Sequence, residues 1–166
     1  AARVLERVSR KENCYAALVF NKFSDELDAK NNHVVLHNIS DSGNLGTILR
    51  TLLGFGLRDI AIIRPAVDAF DPHALRSSMG ALFFHRIRYF DSFEEYRALY
   101  PDHMLYPFML DGAIELDAAC AARREPYALI FGNEASGLPH EFSQMGQSVV
   151  IPHNNLIDSL NLGVAA

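Results

Sequence analysis

From His33 onward, short uninterrupted apolar runs alternate with segments of helical periodicity, and this alternation constrains the fold more than any other feature of the chain. The runs His33–Ile39, Asp59–Arg64, Arg86–Phe90, Met104–Leu110, Tyr127–Gly132 and Ser148–Pro152 read as strands. Most are apolar throughout instead of at every second residue, as strands covered on both faces should be. Between the first two, Leu45, Ile48, Leu49 and Leu52 recur at i, i+3, i+4 and i+7, with Ser42 or Asn44 available to cap the start and Gly54 and Gly56 to stop the helix. Weaker helical patterns cover Pro72–Leu82, Phe93–Tyr100, Leu116–Arg123 and Pro139–Gln144. The expectation is an α/β fold: a mostly parallel sheet with helices on both faces.

A length of 166 residues suits one compact domain, and 49% hydrophobic residues suffice for a core. The longest apolar stretches, Tyr15–Phe20 and Met79–Phe84, are far shorter than the roughly 18 residues of a membrane-spanning helix. Cys14 and Cys120 are too far apart for a zinc-type pair or a disulfide framework, and no secretory leader opens the chain, so a reducing, cytoplasmic setting is expected. The histidines His33, His37, His73, His85, His103, His140 and His153 show no ligand spacing, so no metal is expected. The net charge of −5 argues against nucleic-acid binding by charge alone. Its distribution is uneven. Residues 44–90 carry six Arg against three Asp, whereas residues 91–125 carry three Arg against eight acids, so the first stretch is expected to face a phosphate-bearing partner and the second is not.

Chemistry-bearing residues concentrate in three loops at the carboxyl ends of apolar runs, where open α/β sheets bind ligands. In the loop after the first run, Asn44 sits at the start of the helix, and Arg50 lies roughly 150° around the wheel from the apolar stripe, which turns it outward. Another, Phe131-Gly-Asn-Glu-Ala-Ser-Gly-Leu138, brings Gly132 and Gly137, suited to close backbone approach or positive φ, together with Glu134. The last runs from Ile151-Pro152 to Asp158-Ser-Leu-Asn-Leu-Gly163 and collects amides and hydroxyls. The chain has no dinucleotide G-x-G-x-x-G, no P-loop and no G-x-S-x-G nucleophile elbow.

In this order the loops resemble the three motifs of the SpoU/TrmH branch of the SPOUT RNA methyltransferases: Asn44, Gly46, Arg50 and Phe55-Gly56; then residues 131–138; then Ile151-Pro152 with residues 158–165. The resemblance covers residues 33–166, and Asp71-Pro-His-Ala-Leu-Arg76-Ser-Ser-Met-Gly80 is similar to a further family segment. Gly163 departs from the Ser or Ala of many members, and His153 from a frequent Met. The resemblance implies a C-terminal trefoil knot, a rare exception to unknotted folding. It also implies S-adenosyl-L-methionine held by Gly132, Asn133, Gly137, Ile151 and Leu160, and a homodimer whose site is completed across the interface.

The same resemblance implies methyl transfer to a ribose 2′-hydroxyl of structured RNA, rRNA favoured over tRNA, with Arg50, Asn44, Glu134, Ser159 and Asn161 as the catalytic set. Arg50 meets the 2′-hydroxyl as a base or, more easily, as a cation steadying the developing alkoxide, since arginine holds its proton above pH 12. Asn44, Ser159 and Asn161 would orient Arg50, phosphate or ribose, and Glu134 would hold Arg50 or Asn44. Such a transfer needs no metal. Residues 1–30 read as a linker or the remnant of a preceding RNA-recruiting domain, 31–166 as the catalytic domain, and the last helix as incomplete. The competing reading is a non-catalytic knotted module for RNA binding or assembly.

Overall fold

The computed structural model describes residues 19–154 and 156–166. The helix and linker expected around Leu5 and Val8 lie outside these residues. The described residues form seven strands: β1 (His33–His37), β2 (Asp59–Ile63), β3 (Arg86–Phe90), β4 (Met104–Pro107), β5 (Ile114–Glu115), β6 (Tyr127–Phe131) and β7 (Val149–Val150). Five of them form one sheet in the order β3-β2-β1-β6-β4, with every pairing parallel. The helices are α1 (Ser42–Gly54), α2 (Pro72–Ser77), α3 (Phe93–Leu99), α4 (Leu116–Ala122) and α5 (Leu162–Ala165).

Strand periodicity sorts the apolar residues onto two faces. Val34, Leu36, Ile60, Ile62 and Phe131 pack with Leu45, Ile48, Leu49 and Leu52 of α1 on one side. On the other, Val35, Ala61, Ile63, Ala128 and Ile130 meet Phe93 and Tyr96 of α3. Continuous apolar strands were therefore the correct sign of a sheet buried on both faces. The four α1 side chains are fully buried, and at about 2 kcal/mol each their burial is what fixes that helix to the sheet. Gly46 decides how closely α2 can approach α1, because a Cβ there would lie 1.9 Å from the Ser77 hydroxyl and 2.5 Å from the Ala74 carbonyl.

Several boundaries differ from the sequence reading, for local reasons. The pattern over Pro72–Leu82 is cut after Ser77, where Met79 (φ 51°) and Gly80 (φ 87°) turn left-handed before a 3-10 turn at Ala81–Phe84. Pro139–Gln144 becomes a 3-10 turn over His140–Gln144. Extended sheet pairing of Met104–Leu110 stops at Pro107, because the chain then turns to Val149, where Phe108 bridges and the Met109 amide donates to the Val149 carbonyl. Only Val149–Val150 of Ser148–Pro152 is a strand, and it pairs with β5, outside the main sheet. Residues 19–30 contain no helix or strand, yet they cover the open edge of β3. There the Asp25 amide donates to the Ile87 carbonyl, Leu27 enters the core, and Phe20 and Phe23 pack on Phe70 and Phe83. Among the described residues no helix is long and apolar enough to cross a membrane.

Candidate active site

The strand order reverses between β1 and β6. The chain leaves β1 toward β2 and β3, while β6 is reached from β4 at the opposite edge. At such a switch point the loops leaving two adjacent strands diverge and open a crevice. Two of the motif loops begin here.

The loop after β6 is a tight turn closed on itself. The Asn133 and Gly137 backbones exchange hydrogen bonds at 3.2 and 2.9 Å, and the Asn133 carbonyl oxygen Oδ1 accepts from the amides of Ala135 (2.9 Å) and Ser136 (3.1 Å). Gly132 must be glycine for this closure, since a Cβ would stand 2.2 Å from the Gly137 carbonyl carbon. Asn133 Nδ2 donates to the Asn38 carbonyl at 2.8 Å, tying the turn to the end of β1.

Glu134 then binds the other loop. It accepts from the Ser40 amide (3.1 Å), the Ser40 hydroxyl (2.8 Å), the Asp41 amide (3.0 Å) and Asn44 Nδ2 (3.3 Å). Burial alone would push this carboxyl up, but hydrogen bonds from its own backbone amide, from Ser40 and from Asp41 outweigh burial and hold it below the ordinary range, ionised at neutral pH. Asn44 Oδ1 accepts from Asn161 Nδ2 at 3.3 Å, and Asn161 Oδ1 accepts from the Gly163 amide at 2.9 Å, capping α5. One polar chain thus runs from the turn after β6, through the start of α1, to the C-terminal motif.

Beside it lies a cleft of about 370 Å³. Gly132, Asn133, Gly137, Ile151 and Leu160 all line it, as do Glu134 and Ser159. Its floor is apolar, with Phe108 and Phe131 stacked at 4.5 Å between centroids and 18° between planes. Asn44 and Asn161 are joined to its wall but do not line it. Arg50 stands apart, exposed on the outer side of α1, outside the cleft lining and in no ion pair with a described residue.

Of the two partners considered for Glu134, the structure supplies Asn44. Other local expectations need correcting. Asp41 caps α1 through its Asn44 amide bond, so neither Ser42 nor Asn44 is the cap. The helix expected from Ser159 begins at Leu162. The basic stretch 44–90 is also less available than its sum suggests. Arg64 pairs with Asp91, Arg86 with Asp59 and Arg88 with Glu26, while Arg50, Arg58 and Arg76 are exposed without an ion pair to a described residue. Ser40 and Phe108 carry site contacts that the sequence did not single out. Asp41, three residues before a helical amide, had a readable capping signal; the aromatic stack had none. Gly163 has a local reason too: a Cβ there would stand 3.3 Å from Thr47 Cγ2.

The sequence profile of the SpoU rRNA Methylase family matches residues 31–166. This chain belongs to that family. Among family relatives, the 23S rRNA (adenosine(1067)-2′-O)-methyltransferase of Streptomyces laurentii is 30% identical over 152 residues, covering 87% of this chain and 54% of the relative. A solved structure concerned with 2′-OH methylation of C/U34 on tRNA superposes with a TM-score of 0.74 at 29% identity, covering 83% of this chain and 90% of the other. The AdoMet-bound rRNA methyltransferase of Sinorhizobium meliloti gives a TM-score of 0.73 at 28% identity, covering 86% and 54%. Against mitochondrial rRNA methyltransferase 3 of Xenopus tropicalis, 46% identity extends over 50 residues, 12% of that protein, so the chain spans only part of several relatives.

Proposed function

We propose that this chain is the catalytic unit of an S-adenosyl-L-methionine-dependent RNA 2′-O-ribose methyltransferase acting on rRNA or tRNA, with rRNA favoured. One observation carries the reading: a cleft at the switch point of the sheet is built from the last two motif loops and joined by hydrogen bonds through Glu134, Asn44 and Asn161 to the helix that bears Arg50. The cleft suits the cofactor. Its volume lies in the usual range of small-molecule sites, about 300–1,000 Å³. The Phe108–Phe131 floor accepts a flat heterocycle, and the open space at Gly137 lets a ligand reach the backbone. Gly132, Gly137, Ile151 and Leu160 would hold the cofactor, which when bound supplies an electrophilic methyl group.

The remaining work belongs to side chains. Arg50 stabilises negative charge growing on a ribose oxygen, and keeps its own proton while doing so. Ser159, an exposed hydroxyl on the cleft wall, positions ribose or phosphate, while Glu134 and Asn161 fix Asn44 and the first turn of α1. Because Arg50 faces away from the cleft of its own subunit, it serves the cleft of a partner in a homodimer. The C-terminal motif is read as threaded through a trefoil knot, residues 31–166 as the catalytic domain, and residues 1–30 as the link to an RNA-recruiting domain, in a cytoplasmic protein.

The test is transfer of labelled methyl from S-adenosylmethionine to rRNA and tRNA taken from cells lacking the protein, with the modified sugar mapped. Arg50→Ala should slow transfer about 10²–10³-fold with cofactor binding unchanged. Cofactor and RNA binding without any transfer by the full-length protein would favour the non-catalytic module, and full activity of Arg50→Ala would remove the assigned role.

A further inference from the structure

The charge of the cleft is one-sided. Two carboxylates, Asp111 and Glu134, line it, with no lysine or arginine among the described residues of the lining. Glu134 is taken up by Ser40, Asp41 and Asn44. Asp111 is exposed in the lining and makes no ion pair with a described residue. It is nevertheless held in place, because its turn is pinned on both sides. The Met109 amide donates to the Val149 carbonyl, the Gly112 amide to the Met109 carbonyl, the Ala113 amide to the Ser148 hydroxyl, and the Ile114 amide to the Ser148 carbonyl. Gly112 lies so close to β7 that a Cβ would be 2.3 Å from the Val149 carbonyl carbon. A carboxylate with no ion pair to a described residue, carried on a backbone this constrained, keeps a negative charge at the edge of the ligand space.

We propose that Asp111 is the specificity residue that makes this cleft favour a cationic, sulfonium-bearing methyl donor over the neutral thioether left after transfer, an inference that rests on the methyl-transfer reading above. When the sulfur–methyl bond breaks, its electron pair stays on sulfur and the methyl carbon bonds the ribose oxygen, whose proton passes to solvent. The ligand therefore loses one positive charge in the reaction, and the attraction to Asp111 is present before transfer and absent after it. Glu134 adds to the field but is spent on structure, so Asp111 is where the preference can be altered without disturbing the loops.

Calorimetry on the full-length protein tests this with three ligands: S-adenosylmethionine, S-adenosylhomocysteine, and sinefungin, whose protonated amine stands in place of the sulfonium. Asp111→Asn should weaken the two cationic ligands about three- to fivefold and leave S-adenosylhomocysteine unchanged, the size expected of a solvent-screened charge pair. Raising salt from about 0.05 to 0.5 M should erode the same preference in the wild type and do so less in the variant, which keeps only the field of Glu134. Asp117→Asn, on α4 and outside the cleft lining, should change none of the three affinities. Equal weakening of all three ligands by Asp111→Asn would mean contact with the shared nucleoside or amino-acid tail, or loss of loop structure, and overturns the proposal, as does no change at all. A wild type that bound none of the three would instead remove the methyl-transfer reading.

Discussion

The two ends of the parallel sheet are both rich in polar side chains, and they use them in opposite ways. At the amino end, Asp59 is 1% exposed and accepts two hydrogen bonds from Arg86 at 2.6 Å each, one from Asn31 Nδ2 at 3.0 Å and one from the Asp28 amide at 2.9 Å. Next to it, His33 Nε2 donates to the Asp28 carbonyl and Nδ1 accepts from the Tyr96 hydroxyl, while His103 donates to the Asn31 carbonyl. That network closes on itself. At the carboxyl end the chain Glu134–Asn44–Asn161 borders a cleft, and Ser159 and Asp111 are left exposed in its lining. A closed polar network adds to stability and an open one is available to a ligand, although the residue types are much the same.

Arg86→Ala should produce the largest effect, about 3–5 kcal/mol of lost stability in denaturant unfolding, because it strands a buried carboxylate. Charge-counting along the sequence would instead have made it an RNA-binding change. Loss of RNA affinity at unchanged stability would break the contrast between the two ends.

Acidification should strike the amino end next. Burial lowers His33 from 6.5 to about 4, with the Asp28 carbonyl bond pulling the other way. The unfolded chain therefore binds a proton near pH 6.5 that the folded ring refuses until about pH 4, so this contribution is complete above pH 6.5 and is lost as the pH falls toward 4. The slope from this group is at most about 1.4 kcal/mol per pH unit, and His85 and His103, also lowered by burial, steepen it. Urea midpoints at a series of pH values read it, and His33→Gln should flatten the curve.

Glu134→Gln sharpens the comparison at the other end. It replaces a charged acceptor of several donors and should cost about 1–2 kcal/mol in the same unfolding experiment, with a proportionally greater loss of methyl transfer than of stability. The smallest effect concerns Gly163. Gly163→Ala should be about 0.5 kcal/mol more favourable in a Thr47→Ala background than in the wild type, a coupling that a double-mutant cycle in thermal unfolding measures.

The alternation of apolar runs and helical periods was enough to read the parallel sheet, the two-sided core and α1. The strand-to-loop boundaries were enough to place the first two motif loops at one end of the sheet; the third follows β7, outside the main sheet. Those readings depend on local spacing, which is a property of sequence. The β5–β7 ladder was not legible, because two residues per strand carry no period. Nor was the choice of Asn44 over Arg50 as the partner of Glu134, which lies 90 residues away from Asn44.

What the chain determined by itself was which segments are buried and which are bounded by turns, since hydrophobic spacing and backbone preferences act over a few residues. Tertiary structure alone decided which arginines are spent on carboxylates, which asparagine faces which glutamate, and that Phe108 meets Phe131 under the cleft. Those pairings join residues from distant strands and loops, and their geometry exists only once the sheet has fixed the order of its strands.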